Sequence, residues 1–453
     1  MMRSFYLSEL EQPLQALRTG ADVAISGVTT DSRQVQAGDL FVALRGEHFD
    51  GHRFLPAVAA AGAVAAVVSD AVSSPLPLLR VADTRQALGQ LGACNRALFQ
   101  GPLVAITGSS GKTTVKNLVS AVLARRGPTL ATAGNLNNEI GVPLTLLRLA
   151  PEHQFAVVEM GAGRAGDIEL LCGFARPTIA LLLNAMPAHL QGFGSVEDVA
   201  RAKGEIYDGL RGSGTAIINA DQPWAGRWRS RAAGATMLDY GLQNPAAISA
   251  NSIQSRGVAG ISFVATTPAG DAPMRLQLPG LHNVSNALAA IAVGLACGLT
   301  LAEITAGLAS VAPAPGRGAL LRGRSGATLV DDTYNANPGS VRAAIDLLAD
   351  CGGRRTLVLG AMLELGDNSE QMHRDIGAYA RERGIDRFIG VGEALAGAVE
   401  AFGGEWFADC NAAAAALADT LTANDTVLIK GSRGAAMERV LTALSEPSAE
   451  VGS

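Results

Sequence analysis

The chain has 453 residues and a formal net charge of −5 at pH 7. This length suggests about three domains, each long enough to bury a core, and the acidic balance excludes the basic surface that nucleic-acid-binding proteins need. The first residues show no apolar signal-peptide core, and the most apolar stretches are too short to span a bilayer. We therefore expect a cytoplasmic protein with no nucleic-acid partner and no membrane insertion.

The five cysteines are scattered, odd in number and without metal-ligand spacing. This pattern is typical of buried free thiols in a reducing cytosol. The residues concerned are Cys94, Cys172, Cys297, Cys351 and Cys410.

The first predicted domain covers residues 1–100 and has an α/β pattern. The Gly101-Pro102 pair that follows it is typical of a break between domains. The predicted elements are strands at 40–44 and 65–68 and helices at 54–63 and 84–98.

The second predicted domain covers residues 101–314. Strands and helices alternate along it, which predicts a mostly parallel sheet. Short alternating segments after residue 239 predict an added antiparallel patch, and a Pro/Gly-rich linker at 312–318 ends the domain. The predicted strands are 103–107, 154–159, 178–184, 215–219, 259–265 and 274–278, and the predicted helices are 112–126, 165–173, 196–210, 283–297 and 301–310.

The third predicted domain covers residues 315–453 and is a Rossmann-like α/β unit. Its first strand-to-helix junction is poor in glycine, which argues against a second dinucleotide site. The predicted strands are 327–332, 355–360, 387–391 and 425–430, and an alanine-rich helix covers 411–420.

A glycine turn after the strand at 103–107 carries the clearest chemical signal. Backbone N–H groups of such a turn close around phosphate oxygens, Lys112 adds a point charge, and Thr113 offers a hydroxyl to Mg²⁺. Two residues separate the glycines, where the common phosphate loop has four. The alternative is a strand-to-helix turn with a solvated lysine. The segment predicts a nucleoside triphosphate site formed by Gly108, Ser109, Ser110, Gly111, Lys112, Thr113 and Thr114.

Two further side chains follow neighbouring strands of the predicted sheet. Glu159 ends the strand at 154–159, where a carboxylate can hold Mg²⁺ that bridges phosphates. His189 follows the strand at 178–184, where it can be a metal ligand or a phosphate donor. The alternatives are a solvated or capping glutamate and a structural histidine.

Other candidates are ambiguous from the residues alone. Lys203 lies inside a predicted helix, where a lysine is usually on a solvated face. Asn283 and Asn286 open an apolar helix, where they suit either N-capping or base recognition.

The segment 331–340 is unusually polar for the exit of a strand. Asn337-Pro338-Gly339 forms a sound turn before a helix, but two carboxylates, a tyrosine and two amides exceed what a turn needs. The loops 360–366 and 430–434 also leave strands of this domain. We expect these three loops to form a second wall of a substrate cleft.

Together these motifs resemble those of the Mur ligases, which are ATP-dependent amide-bond-forming enzymes of peptidoglycan precursor synthesis. The resemblance covers essentially the whole chain, and the short glycine spacing is the family's own pattern. The block 331–338 resembles the branch that joins D-alanyl-D-alanine to UDP-MurNAc-tripeptide. The motifs that carry the resemblance are 107–114, 134–143, 159–161, His189, 202–204 and 331–338.

The resemblance implies a mechanism and a set of roles. A peptide carboxylate attacks the γ-phosphate of ATP to give an acyl phosphate, and the amine of D-Ala-D-Ala displaces phosphate. The implied catalytic residues are Lys112, Lys203, His189 and Glu159, with Thr113, Glu159, His189 and a carbamylated Lys203 holding Mg²⁺. Asn283 and Asn286 would face adenine, and Arg317 and Asp332 would reach the nucleotide when the domains close.

The resemblance also implies substrate contacts. The first domain becomes the UDP-binding module, the second the ATPase domain and the third the ligase domain of an α/β protein. The implied substrate-binding residues are Ser32 and Arg33 for UDP, Asn135 and Asn138 in the motif at 134–143, Tyr334, Asn335 and Asn337 for the dipeptide, and Lys430 and Arg433 for its carboxylate.

Two other functions remain open on the sequence alone. One is a related ATP-dependent ligase, such as a folylpolyglutamate or cyanophycin-type enzyme; the 331–338 loop and the full first domain argue against this function. The other is a catalytically silent nucleotide-binding regulator, and the intact site residues argue against it. We expect a monomer, and the third residue of the peptide is open between meso-diaminopimelate and lysine.

Overall fold

The computed structural model describes residues 2–187 and 190–446. Three α/β domains follow one another along the chain, each built around its own sheet. In the described part of the chain, no helix combines the length and the apolar character that a membrane crossing requires.

The first domain contains a five-stranded sheet of order β2-β7-β6-β5-β4 and a small β1-β3 ribbon. Only β2 runs antiparallel in the larger sheet. The elements are β1 Phe5–Tyr6, α1 Leu7–Leu14, β2 Leu17–Thr19, β3 Ala24–Ile25, β4 Gly27–Thr29, β5 Asp39–Val42, a 3₁₀ turn Gly51–Phe54, α2 Leu55–Ala60, β6 Ala65–Val68, β7 Leu78–Arg80 and α3 Thr84–Ala97.

The second domain contains a six-stranded, fully parallel sheet and a three-stranded antiparallel one. Their orders are β13-β12-β11-β8-β10-β9 and β14-β15-β16. The elements are β8 Leu103–Thr107, α4 Lys112–Leu123, β9 Thr129–Ala131, α5 Gly141–Leu146, β10 Phe155–Glu159, α6 Asp167–Ala175, β11 Ile179–Leu182, α7 Leu190–Phe193, α8 Val196–Lys203, α9 Glu205–Asp208, β12 Thr215–Asn219, α10 Ala225–Arg231, β13 Thr236–Tyr240, β14 Ser249–Ser255, β15 Ile261–Thr267, β16 Gly270–Leu276, α11 Leu281–Ala296 and α12 Leu301–Ala309.

The central strands of the parallel sheet show why the chain folds this way. Every residue of β8, β10 and β11 is buried, since helices cover both faces of the sheet, and their sequences are continuous apolar runs for that reason. Helices α4 and α11 pack against each other on one face and contribute to one large apolar cluster. The phosphate turn therefore leaves a rigid strand and enters a firmly packed helix.

The third domain contains a six-stranded sheet of order β17-β18-β22-β19-β20-β21, in which only β17 is antiparallel. The elements are β17 Ala319–Arg322, β18 Thr328–Asp332, α13 Pro338–Ala349, β19 Arg354–Gly360, a 3₁₀ turn Gly366–Asn368, α14 Ser369–Glu382, β20 Arg387–Val391, a 3₁₀ turn Glu393–Leu395, α15 Ala396–Phe402, β21 Glu405–Phe407, α16 Cys410–Ala418, β22 Asp425–Lys430, a 3₁₀ turn Arg433–Ala435 and α17 Glu438–Leu444.

Several local expectations are wrong. The predicted helix at 196–210 is interrupted at Gly204. The helix predicted at 54–63 covers only Leu55–Ala60, and a 3₁₀ turn at Gly51–Phe54 precedes it. The sequence pattern did not predict several strands at sheet edges, because these strands are two to five residues long or half exposed. They include β2, β9, β13, β17 and β21. β14 was missed because most of its residues are exposed and do not alternate.

The cysteines are free thiols, but the expectation that all of them are buried is wrong. Cys172 and Cys410 are buried, and Cys94, Cys297 and Cys351 are only half-buried. Cys297 and Cys351 come just after the C-terminal ends of α11 and α13, where a helix leaves the core.

Asp331 fastens the linker between the second and third domains. This buried carboxylate accepts hydrogen bonds from the Gly316 backbone N–H (2.6 Å) and from the Thr333 hydroxyl (2.6 Å), and its carbonyl oxygen accepts one from the Gly318 N–H (2.7 Å). The linker is therefore tied to the end of β18, which fixes the position of Arg317.

Arg96 joins the first domain to the second. Its guanidinium is buried at the end of α3 and donates three hydrogen bonds to carbonyl oxygens, those of Ala175 (2.7 Å), Arg176 (2.9 Å) and Phe99 (2.7 Å). Two of these carbonyls lie at the C-terminal end of α6, where a cation is favoured by the helix dipole.

We expect Arg96→Met to lower the free energy of unfolding by about 2–4 kcal/mol, because three carbonyls lose a charged donor. Urea titration measures the change. Arg164→Met is the matched control, since Arg164 forms an exposed ion pair with Asp167 and such pairs contribute about 0–1 kcal/mol. Equal losses in the two variants would show that the Arg96 contacts do not stabilise the domain junction.

Candidate active site

A cavity of about 830 Å³ lies between the second and third domains. One wall is the edge of the middle sheet at which β8, β10 and β11 end, which is where parallel sheets bind ligands. None of the described residues that line it belongs to the first domain. The predicted site residues that line it are Ser109, Ser110, Gly111, Lys112, Thr113, Thr114, Asn135, Asn138, Glu159, Lys203, Asn283, Asn286, Arg317, Asp332, Tyr334, Asn335, Asn337 and Lys430.

Four of the predicted site residues that the structure describes lie outside this lining. Gly108 belongs to the phosphate turn but does not line the cavity, and Ser32 and Arg33 lie in the first domain, where Arg33 is exposed and pairs with Asp31 (2.8 Å). Arg433 is exposed at the 3₁₀ turn after β22. The UDP-binding and carboxylate-binding roles of these residues stay predictions.

The phosphate turn has the backbone that its glycines predict. Gly111 precedes α4 with φ +82°, a conformation that favours glycine, and a Cβ there would lie 2.9 Å from Asn286 Oδ1. The half-buried Lys112 donates from Nζ to the Gly108 carbonyl oxygen (2.7 Å). The ammonium is thus held across the mouth of the turn, where phosphate oxygens can replace the carbonyl as its acceptor.

Asn184 supports the turn and was not predicted. Its Oδ1 accepts from the Ser110 N–H (3.0 Å) and its Nδ2 donates to the Ser110 carbonyl (3.1 Å). The available signal was its position at the end of the predicted strand 178–184, which pairs with the phosphate strand.

Glu159 lies at the centre of the site, at the end of β10. Its side chain is 2% exposed, and its carboxylate accepts hydrogen bonds from the Thr113 hydroxyl (3.0 Å) and from Asn137 Nδ2 (2.8 Å). A carboxylate this deeply buried needs partners of this kind, since desolvation otherwise disfavours its charge.

Lys116 supplies the positive charge beside Glu159 and was also missed. Its Nζ lies 3.7 Å from Glu159 Oε2 and donates to the Gly134 carbonyl (3.1 Å), and the side chain is 4% exposed. Burial lowers its pKa, and the charge of Glu159 opposes that shift. Two features of the sequence could have identified Lys116. It lies four residues after Lys112, on the same helix face, and lysine is scarce, since the chain has it only at 112, 116, 203 and 430.

The donor set around Glu159 fits a divalent cation. The carboxylate and the Thr113 hydroxyl present oxygen atoms 3.0 Å apart, and oxygen is the ligand that Mg²⁺ prefers. His189, the third predicted metal ligand, lies outside the described residues.

Lys203 is the last residue of α8 and is 1% exposed, so it does not lie on a solvated face. Its Nζ lies 5.9 Å from the centroid of the Phe193 ring, and among the described residues it has no ion-pair partner. Burial and the nearby charge of Lys112 lower the pKa of the Lys203 amine to about 7, against a weaker opposite effect of Asp167. A neutral amine is a nucleophile, which an ordinary solvated lysine is not.

The two asparagines of α11 are connected to each other. Asn286 Nδ2 donates to Asn283 Oδ1 (2.9 Å), and Asn283 Nδ2 donates to the Pro279 carbonyl (2.7 Å). Gly280 is the N-cap residue of α11 and no side chain caps the helix. The N-capping interpretation is therefore wrong, and both amides border the cavity.

The linker and the loop after β18 form the opposite wall. The Arg317 guanidinium lies 3.9 Å from the centroid of the Tyr334 ring, which is a cation–π contact. Lys430 is buried and bonded internally, from Nζ to Asp332 Oδ2 (2.6 Å) and to the Asn335 carbonyl (2.9 Å). In this structure Lys430 therefore holds the loop, and its contact with a dipeptide carboxylate stays a prediction.

Three of the predicted amides have local partners. Asn337 caps α13 by accepting from the Ser340 N–H (2.8 Å), and Asn335 Oδ1 accepts from the Ala336 N–H (2.9 Å). Asn138 Oδ1 accepts from the Gly141 N–H (2.9 Å). All three residues line the cavity, so these local contacts and a contact with substrate are compatible.

The comparisons with known proteins agree with this geometry. Residues 24–95, 106–294 and 316–433 match, in turn, the Mur ligase family catalytic domain, the Mur ligase middle domain and the Mur ligase glutamate ligase domain. The UDP-N-acetylmuramoyl-tripeptide--D-alanyl-D-alanine ligase of Escherichia coli (strain K12) is 44% identical, over 98% of this chain and 99% of that protein. The chain belongs to the Mur ligase family.

Solved structures narrow the position of this Mur ligase within the family. MurF from Acinetobacter baumannii superposes with a TM-score of 0.93 at 36% identity, over 97% of this chain and 98% of that one. MurF ligase from Thermotoga maritima, in complex with ADP, gives a TM-score of 0.84 at 29% identity, over 92% and 96% of the two chains. These similarities place the chain in the MurF branch, and they confirm the predicted three-domain α/β fold.

We expect the Lys203 amine to titrate near pH 7, because burial and the Lys112 charge lower its pKa. Labelling lysine with ¹³C at Cε gives four side-chain NMR signals, and Lys203→Met assigns one of them. The titration is done in CO₂-free buffer. A Lys203 signal that titrates only above about pH 9, close to a free lysine, would contradict the assignment.

The same shift sets a pH dependence of stability. The unfolded chain keeps its proton on residue 203 up to about pH 10.4, whereas the folded chain loses it near pH 7. Unfolding therefore takes up a proton between these values, and the free energy of unfolding of the wild type rises with pH relative to that of Lys203→Met.

Proposed function

We propose that this Mur ligase couples ATP hydrolysis to the joining of D-alanyl-D-alanine to UDP-MurNAc-tripeptide, forming UDP-MurNAc-pentapeptide. The observation that carries the proposal is the single cavity in which the phosphate turn, Glu159 and Lys203 face the loop after β18. The relatives named D-alanyl-D-alanine ligase, similar over nearly the whole chain, support the choice of substrates.

The phosphate turn would hold the β- and γ-phosphates of ATP. Its backbone N–H groups and the dipole of α4 favour anions, and Lys112 Nζ would leave the Gly108 carbonyl for a phosphate oxygen. Asn283 and Asn286 would bind adenine through their amides, and Arg317 and Asp332 would reach the nucleotide from the third domain. ADP bound to the Thermotoga maritima relative supports a nucleotide in this cavity.

Thr113 and Glu159, with His189 outside the described residues, would hold Mg²⁺, which supplies charge neutralisation on the phosphates when bound. Lys116 and Asn137 keep the Glu159 carboxylate in place until then. Transfer of a phosphoryl group depends chiefly on such positioning and charge balance.

Lys203 would carry a carbamate. The neutral amine nitrogen attacks the carbon of CO₂, an N–C bond forms as a C–O π bond opens onto oxygen, and one proton leaves to solvent, so that a neutral buried amine becomes an anion. The low pKa of the amine favours this reaction at neutral pH, and the positive charges of Lys112 and a bound metal would stabilise the product.

The peptide reaction would proceed through an acyl phosphate. The tripeptide carboxylate attacks the γ-phosphorus and ADP leaves; the amine of D-Ala-D-Ala then attacks the acyl carbon, and phosphate leaves. Closure of the third domain onto the second would exclude water from the acyl phosphate. Ser32 and Arg33 would hold UDP, and Asn135 and Asn138 would be further substrate contacts. Tyr334, Asn335 and Asn337 would bind the dipeptide, with Lys430 or Arg433 at its carboxylate.

The remaining assignments are proposals on the same basis. Domain boundaries after residues 100 and 314 would separate UDP-binding, ATP-binding and ligase functions. A cytoplasmic monomer would suit an enzyme that needs ATP and a nucleotide-linked substrate.

Mass spectrometry of the products tests the function directly. Purified protein with ATP, Mg²⁺, UDP-MurNAc-tripeptide and D-Ala-D-Ala should form the pentapeptide and ADP. We expect single amino acids such as D-Glu to be poorer substrates by about 10⁴-fold in kcat/KM, because a site built for a peptide bond leaves buried groups unpaired with them. Addition of one amino acid to a shorter UDP-MurNAc-peptide, or of glutamate to a folate, would overturn the substrate assignment.

We expect Lys112→Ala to lower kcat by at least about 10³-fold, because the lost charge acts on the transferring phosphate. The fold should survive, since Lys112 is only half-buried and its one described hydrogen bond goes to its own turn. Arg374→Ala, which removes an exposed ion pair in the third domain, is the matched control. Turnover by Lys112→Ala at the control rate would remove Lys112 from the reaction.

A further inference from the structure

Strand β22 is the last strand of the third domain in chain order, and it lies between β18 and β19 in the sheet. The loop that follows β22 is therefore flanked by the loop after β18, at 333–337, and by the loop after β19, at 361–365. The loop after β18 is the one that carries Tyr334, Asn335 and Asn337 into the cavity.

Ser432 connects all three loops through one hydroxyl. This residue is 4% exposed, and its Oγ accepts from the Leu363 N–H (2.9 Å) and donates to the Ala336 carbonyl (3.2 Å). Its own N–H donates to the Ala361 carbonyl (2.9 Å). Both hydrogen-bonding functions of the hydroxyl are therefore used, and neither of its two backbone partners is on its own loop.

The two loops that Ser432 joins are otherwise held by polar groups. Lys430 donates to the Asn335 carbonyl (2.9 Å), the neighbour of the carbonyl that Ser432 holds. On the other side, the buried His373 accepts from the Met362 N–H through Nε2 (2.9 Å). Removing the Ser432 hydroxyl would leave the carbonyl of the buried Ala336 and the Leu363 N–H without this partner, and we expect both loops to shift as a result.

We propose that Ser432 is a positioning residue for the D-alanyl-D-alanine site. It touches no predicted nucleotide contact and does not line the cavity itself, so it acts through the backbone of Asn335-Ala336. The inference rests on the proposed function for the identity of the substrate. The proposal predicts that the KM changes for one substrate of the three, which a general loss of stability would not produce.

Ser432→Ala tests the proposal in steady-state kinetics with each substrate varied in turn. The KM for D-Ala-D-Ala should rise about tenfold, the expected cost of an unpaired buried group. The KM values for ATP and UDP-MurNAc-tripeptide should change by less than about twofold, as for distant sites. Ser432→Thr, which keeps the hydroxyl, should restore the wild-type value.

Thr356→Val is the matched control. Thr356 lies in β19 of the same sheet and is fully buried, and its hydroxyl has no hydrogen-bond partner in the described part of the chain. The control should leave all three KM values unchanged. An unchanged KM for the dipeptide in Ser432→Ala, or an equal rise for all three substrates, would overturn the positioning role.

Hydrogen exchange separates this proposal from the proposed function and does not depend on catalysis. Peptides covering 333–337 and 361–365 should exchange faster in Ser432→Ala than in the wild type or Thr356→Val. Unchanged exchange in both loops would overturn the proposal. If the wild type fails to use D-Ala-D-Ala, the proposed function fails, and D-Ala-D-Ala is then the wrong substrate for this site. Faster exchange in both loops would still show that Ser432 holds the two loops in place.

Discussion

The buried carboxylate of Glu159 is the constraint around which the site is arranged. A carboxylate at 2% exposure is stable only with donors and a positive charge close by, and the structure supplies them from two separate segments. Thr113 and Lys116 come from the start of α4, and Asn137 comes from the loop after β9. The same carboxylate therefore fixes β10, the start of α4 and this loop relative to one another before any ligand binds.

Lysine is scarce in this chain and is concentrated at this cavity. The chain has lysine only at 112, 116, 203 and 430; Lys112, Lys203 and Lys430 line the cavity and Lys116 lies beside Glu159, while arginine forms the ion pairs on the surface. Burial lowers the pKa of Lys112, Lys116 and Lys203, and the charge of Glu159 opposes that shift at Lys112 and Lys116. The carboxylate of Glu159 therefore favours the charged form of its two lysine neighbours.

The sequence predicted the parts of the site that follow buried strands, because continuous apolar runs and a glycine turn are local signals. It therefore placed Lys112, Thr113 and Glu159 together. It missed Lys116 and Asn184, whose roles depend on which side chains the fold brings beside them, and it left Asn283 open between capping and base recognition, of which the structure excludes capping because Gly280 is the N-cap residue. Exposed edge strands such as β14 and β17 carry no hydrophobic alternation, so pairing in the folded sheet is what defines them. Lys203 gained its role only through the family resemblance, since burial of a helix-terminal lysine depends on tertiary packing.

Binding of a divalent cation to the nucleotide complex tests the central position of Glu159 most directly. Electron paramagnetic resonance can measure Mn²⁺ bound to the protein with a non-hydrolysable ATP analogue, in the wild type, in Glu159→Gln and in the Thr356→Val control. We expect Glu159→Gln to weaken Mn²⁺ binding in the ternary complex by more than about tenfold, which is what loss of even an outer-shell partner can cost, and the control to match the wild type. Equal Mn²⁺ affinity in Glu159→Gln and the wild type would contradict this account of the site.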